Sequence, residues 1–224
     1  MANEAVLRER MVNNQLRTFD VTDHRIQDAF ATVPRELFVP APQRPFAYSD
    51  EPIPFGPAAD GGPPRAMTPP AVLARLIQLA EITAGDVVLV VGALTGYATA
   101  IVAALSNSAL GLECDEQFVR RAADLFEQLD VQNATVVHGP LTNGWADEAP
   151  FDVILVDGAV ETGLDTLFSQ LKDGGRLVVV EGPGLAGRAR RCLRTGEAVT
   201  GWTAFNAAAP LLPGFEKAMS FEFD

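Results

Sequence analysis

From residue 70 to residue 182 the hydrophobic positions switch repeatedly between two rhythms. Helical spacing at Val72, Leu73, Leu76, Ile77 and Leu79 predicts a helix opening at Pro70. The continuous apolar run Val87–Val91 predicts a buried strand, ending at Gly92. The pattern then repeats: a helix from Gly96 through Leu105, a strand at 109–113, and a helix from Asp115 to Leu129. Strands at 134–138 and 152–157, a helix at 164–171 and a strand at 176–181 complete it. Apolar strands alternating with helices imply a parallel sheet covered on both faces. Upstream, Ala5, Leu7, Met11 and Leu16 mark one helix. Ile26, Ala29, Phe30 and Val33 mark a second, with Thr22 as its expected cap and Pro34 as its stop. Residues 40–70 are rich in proline and glycine but carry Phe46, Tyr48, Ile53 and Phe55. A loop of that length packed by its own side chains is expected to be functional, here a substrate-side lid. Glycines at 184, 187, 196 and 201 break the last segment into short pieces. These are expected to be antiparallel strands finishing the sheet edge, the last at Met219–Phe223.

Composition narrows the class. The 224 residues are 48% hydrophobic and 21% charged, enough to build one core with a modest appendage. Seventeen basic residues against 29 acidic ones leave a net charge of −12. That balance, with no basic patch, argues against nucleic acid or an anionic membrane as partner. No apolar run reaches the length of a membrane span, and the first residues lack a basic-then-apolar leader pattern, so a cytoplasmic protein is expected. Two cysteines and two histidines, all far apart, make neither a disulfide framework nor a metal motif. Cys114 and His138 are expected to be structural, and Trp145 and Trp202 packing anchors.

The candidate chemistry begins at Gly92-Ala93-Leu94-Thr95-Gly96-Tyr97, between the first buried strand and its helix. In a doubly wound sheet, that turn is where a nucleoside-bearing cofactor approaches the backbone. The dinucleotide fingerprint needs glycine at 94 and 97, where this chain has Leu94 and Tyr97. A nicotinamide dinucleotide is therefore disfavoured. The methyltransferase form is met at Gly92 and Gly96 and broken at Leu94. A tight turn without a ligand stays open as an alternative. Glu113 ends the second strand 21 positions after Gly92, where an acid can accept hydrogen bonds from ribose hydroxyls.

Several segments together resemble one family. Met11-Val12-Asn13-Asn14-Gln15-Leu16-Arg17, Val33-Pro34-Arg35-Glu36-Leu37-Phe38-Val39-Pro40 and Tyr48-Ser49-Asp50-Glu51-Pro52-Ile53-Pro54 are similar to the N-terminal region of protein-L-isoaspartate O-methyltransferases. Asn143-Gly144-Trp145, Ala149-Pro150-Phe151-Asp152 and Leu171–Val178 match further family segments. The resemblance implies an α/β Rossmann-like methyltransferase fold, with a seven-stranded, mostly parallel sheet and an N-terminal helical extension. It divides the chain into residues 1–70, helices and substrate-side loop, and residues 71–224, the S-adenosylmethionine-dependent domain, packed as one unit. It implies methyl transfer from S-adenosylmethionine to the misplaced carboxylate of isoaspartyl residues in damaged peptides or proteins. Gly92, Gly96, Tyr97 and Glu113 are retained at its cofactor-binding positions, and Ala93, Leu141 and Asp157 are further candidates for holding the cofactor.

The departures fall on the chemistry. Met67 replaces the loop serine at the family's reacting centre, so no catalytic residue is assigned and Arg65 and Thr68 are the candidates for holding the substrate carboxylate. Val90 stands where the family's first strand commonly ends in an acid, and Gly139-Pro140-Leu141 where it has glycine–aspartate–glycine. If Val90 and Pro140 each remove one contact to a charged or polar group, donor affinity falls by about 3–6 kcal/mol. Asp157, after the strand 153–156, is placed to meet the donor's ammonium or simply to cap a turn. Two other functions remain open: an inactive member serving as a binding or regulatory module, and a methyltransferase for another acceptor. An aspartyl-type carboxylate is already ionised at neutral pH, so its methylation needs positioning rather than a general base.

Overall fold

The apolar stripes of the first forty residues are buried against the rest of the chain, as shown by a computed structural model that describes residues 2–57, 63–182 and 184–217. Helix α1 (Ala2–Met11) continues through a π-helical turn, Val12–Leu16, and the two bury Met11, Val12 and Leu16. Helix α2 (His24–Thr32) is capped by Asp23 rather than Thr22. The Asp23 carboxylate accepts from the Arg25 N–H at 2.8 Å, while the Thr22 N–H donates to the Gln78 side chain at 2.7 Å. Val33, held extended before Pro34, stops the helix, and the short α3 (Arg35–Phe38) follows.

The proline-rich stretch has more structure than its composition suggests. It holds a 3-10 turn, Ala41–Phe46, and an antiparallel pair, β1 (Ile53–Gly56) and β2 (Arg65–Met67). Gly61 and Gly62, part of the expected loop, lie outside the described residues. Helix α4 (Pro70–Ala80) leads into β3 (Val87–Val91), α5 (Tyr97–Ala103), β4 (Ser108–Glu113), α6 (Glu116–Gln128) and β5 (Ala134–His138). Then come β6 (Phe151–Val160), α7 (Asp165–Ser169), β7 (Leu171–Glu181), β8 (Arg188–Thr195) and β9 (Ala198–Asn206). The seven-stranded sheet has the order β5-β4-β3-β6-β7-β8-β9. Its first five strands are parallel, and β8 and β9 close the edge antiparallel. The expected final strand at Met219–Phe223 lies outside the described residues.

Alternation along the strands sends their side chains to two apolar cores. Val88 and Val90 pack with the N-terminal helices, α4 and α5, whereas Leu89 and Val91 pack with Leu110, Leu112, Val156, Leu167 and Leu212. The strand order reverses between β3 and β6, and in such sheets the crevice for ligands lies outside the carboxyl ends of the strands at that point. Here it lies between Gly92 and Asp157-Gly158. Trp202 does not anchor packing: it is 48% exposed on edge strand β9, with Arg191 over its ring. Among the described residues no helix is long and apolar enough to cross a membrane.

Candidate functional site

The glycine turn is built by backbone geometry. The N–H groups of Gly92 and Ala93 both donate to the Leu112 carbonyl, at 2.9 and 3.1 Å, holding the turn against β4. Gly96 has φ +90°, and a Cβ there would lie 2.8 Å from the Phe126 ring and 3.1 Å from Ala122. Glycine at 96 thus serves the approach of α6 to the start of α5. Leu94 takes φ +48° without being glycine, and its side chain turns into the core of the N-terminal helices. Tyr97 opens α5 but also faces that core, its ring 6.0 Å from Phe30 and 5.6 Å from Phe38. Val90 packs in the same core, fully buried.

Glu113 stands at the end of β4, completely buried. Its carboxylate is fully engaged. One oxygen accepts from the Leu94 N–H at 2.7 Å and from Arg65 Nη2 at 2.6 Å. The other accepts from the N–H groups of Cys114 and Asp115, at 2.9 and 3.1 Å. Arg65 is 3% exposed, so it is no solvated loop cation. Strand β2 carries it onto the Glu113 carboxylate at the end of β4.

A second arginine completes a buried charge cluster. Arg35 is fully buried; its Nε donates to the Ala47 carbonyl and its Nη2 to the Thr68 carbonyl, each at 2.8 Å. Its guanidinium lies 4.7 Å from the Tyr97 ring centroid. Burial pulls the Arg35 pKa down and pushes the Tyr97 phenol up to about 12. Asp157, 7% exposed, lies in β6 where its parallel register against β7 shifts, between Leu155 and Ala159. Burial raises its carboxyl above the ordinary range, opposed by the Thr68 hydroxyl beside it and by the Arg35 and Arg65 charges. Arg65 Nε is buried without a hydrogen-bond partner among the described residues, and Arg35 Nη1 with Tyr97 Oη and Thr68 Oγ with Asp157 Oδ1 have none but one another. Met67, in place of the family's serine, is 2% exposed and packs in the core.

The far side of the crevice comes from the chain's last described segment. The Ala159 N–H donates to the Pro210 carbonyl at 2.7 Å, and the Leu212 N–H donates to the Ala159 carbonyl at 3.0 Å. The Phe215 carbonyl accepts from Glu161 and Thr162. This strap drops Leu212, 2% exposed, onto the two glycines of the crevice. A Cβ on Gly92 would lie 2.8 Å from Leu212 Cδ2 and 3.3 Å from the Asp157 carbonyl oxygen. One on Gly158 would lie 2.5 Å from Leu212 Cγ. Leu141, at the adenine-side position, belongs to the same apolar cluster as Leu212 and Phe215. The side chain beside the two glycines is thus Leu212, while Leu94 packs in the core of the N-terminal helices.

The fold therefore gathers Arg65, Thr68, Glu113 and Asp157 into one buried cluster, beside the turn of Gly92 and Ala93. It points the side chain of Tyr97 elsewhere. Two further residues, Arg35 and Leu212, carried no local sign of a role. The His138 ring bonds the Cys114 carbonyl at 3.0 Å, and the Cys114 thiol lies 3.3 Å from Glu113 Oε1. Among the described residues no group of acidic, histidine or cysteine side chains could hold a metal ion.

Residues 7–199 match the family described as protein-L-isoaspartate(D-aspartate) O-methyltransferase. A protein-L-isoaspartate O-methyltransferase of Koribacter versatilis (strain Ellin345) is 39% identical over 178 residues, covering 80% of this chain and 78% of that one. Protein-L-isoaspartate O-methyltransferase 2 of Shewanella sediminis (strain HAW-EB3) is 37% identical over 172 residues, covering 77% and 68%. A solved protein-L-isoaspartate O-methyltransferase superposes with a TM-score of 0.80 at 24% identity, over 92% of this chain and 66% of that one. One from Plasmodium falciparum, in complex with S-adenosyl-L-homocysteine, superposes with a TM-score of 0.74 at 17% identity, over 92% and 97%. At those identities, the two superpositions establish a shared fold.

Proposed function

We propose, from the premise that this chain belongs to the protein-L-isoaspartate O-methyltransferase family, that it transfers a methyl group from S-adenosylmethionine to the misplaced carboxylate of isoaspartyl residues in peptides or proteins. The observation that carries this reading is the family match itself, which spans residues 7–199 and so includes the loop, the glycine turn, Glu113 and Asp157. The donor supplies an electrophilic methyl group. The acceptor carboxylate arrives ionised, so the chain must position two reactants and keep water out. Neither task needs the serine that Met67 replaces.

The polar residues suit an adenosyl donor, but the space around them does not. Glu113 presents its carboxylate at the right strand end, and Asp157 holds a buried oxygen beside Thr68 Oγ at the switch point. Leu212 covers the glycines and Arg65 covers Glu113. With these side chains across the glycines and the carboxylate, no step of transfer is assigned to these residues as they stand. Arg65 and Thr68 remain the groups proposed to hold the acceptor, with residues 1–70 forming the acceptor side and residues 71–224 the donor side.

The test is methyl transfer from radiolabelled S-adenosylmethionine to a synthetic isoaspartyl peptide, with the matching aspartyl peptide as control. Base-labile label on the isoaspartyl peptide alone is the expected result. No label at millimolar donor and peptide, from a chain that melts cooperatively, contradicts the reading.

A further inference from the structure

We infer that residues 207–215 are a latch that the methyl donor must displace, with Leu212 as its bolt and the Arg65–Glu113 ion pair as its second catch. The inference rests on the proposed donor and goes further, to how access to its site is controlled.

Three observations place the latch. Leu212 occupies the sheet's switch point, with its Cδ2 and Cγ against the backbones of Gly92 and Gly158. Its strap is held by one isolated bridge to Ala159, near the end of β6, and by bonds to Glu161 and Thr162, and forms no strand of its own in the sheet. Arg65 lies on the carboxylate proposed for ribose hydroxyls, 2.6 Å from Glu113 Oε2.

A fourth observation separates a latch from a crevice that has become ordinary core. Around the plug, Arg65 Nε is buried without a partner, and Thr68 Oγ and Asp157 Oδ1, beside each other, have none but one another. Orphaned buried polar atoms are costly and rare in native proteins. A site given over to core packing would favour apolar groups in their place. These atoms are donors and acceptors of the kind that a ligand with hydroxyl, ammonium and carboxylate groups would satisfy.

The latch has a measurable consequence. When only the open fraction of a protein binds, apparent affinity falls by that fraction. Shortening Leu212 removes apolar contact made only in the closed state, and so raises the open fraction. The probe is S-adenosyl-L-homocysteine, titrated calorimetrically into the full-length wild type and Leu212→Ala, so that the readout is binding and not turnover. Leu212→Ala is expected to bind at least tenfold more tightly. In parallel, hydrogen exchange on the wild type, with and without saturating S-adenosyl-L-homocysteine, follows the amides of Ala159 and Leu212. They are expected to lose protection on binding while those of β3 keep theirs. This arm decides if the variant does not fold.

Equal or weaker binding by a folded Leu212→Ala, or a wild-type complex in which both amides stay protected, overturns the latch. Binding by the variant alone supports it. Failure of both proteins to bind at millimolar concentration overturns the latch and the proposed donor together. Methyl transfer by a wild type whose strap stays protected overturns the latch alone.

Discussion

Glu113 and Arg65 show how much one buried ion pair can decide. Three backbone N–H groups and one guanidinium share the Glu113 carboxylate. Replacing Glu113 with Ala strands a buried cation and three donors; breaking a buried pair in this way costs roughly 3–5 kcal/mol. Arg65→Met leaves the carboxylate its backbone donors and should cost clearly less. Urea unfolding of the two variants and the double variant measures the difference, and equal costs would contradict the reading of the site. Leu94 sets two effects against each other. Glycine there would relieve a left-handed strain of about 1–2 kcal/mol but lose a buried leucine side chain, which costs roughly 2–5 kcal/mol. Leu94→Gly should therefore destabilise, by about 1–3 kcal/mol on the same unfolding measurement. Glu113 was legible in the sequence because strand length and spacing from Gly92 place an acid at a crevice edge. Arg65 was not. Its partner lies 48 positions away, and nothing local distinguishes a buried arginine from a solvated one.

Among the elements, the parallel strands could be read because burial on both faces leaves uninterrupted apolar runs. The sequence reading made β6 and β7 shorter than the seven-stranded sheet does. Their extra residues, around 157–160 and 171–175, pair through irregular register that no period-two pattern announces. The helix start at α2 slipped by one residue because Thr22 and Asp23 are both good caps, and only the tertiary bond to Gln78 separates them. Arg176 ties α4 to the sheet: its guanidinium bonds the carbonyls of Ala80 and Glu81, at 2.6 and 2.7 Å, and Asp86 at 2.6 Å. Arg176→Ala should lower stability by about 2–3 kcal/mol and be seen as a lower melting temperature. Asp157 sets a pH dependence. Burial raises its pKa in the folded state, so the folded chain binds more protons than the unfolded chain just above the ordinary carboxylate range. Its contribution to stability is therefore full below the unfolded value of about 3.9 and is lost as pH rises through the folded one. The stability of Asp157→Asn relative to wild type should accordingly grow with pH across that window in urea titrations. A constant difference would contradict the assignment.

At the scale of the whole molecule, the chain's last described segment closes over the carboxyl edge of a family scaffold. The relatives fix the lineage, and the match spans the N-terminal helices and the strands up to β9. The strap at 207–215 lies beyond that match, in a segment whose prolines and short apolar run give no periodic signal. The plug was consequently invisible in the sequence. The most direct test is a crystal structure of the full chain grown with S-adenosyl-L-homocysteine. Leu212 should have left the backbones of Gly92 and Gly158, and Glu113 should have exchanged Arg65 for the ribose hydroxyls. A ligand seated at the sheet's carboxyl edge with Leu212 and the Arg65–Glu113 pair unmoved, or no ligand there at all, would contradict the account.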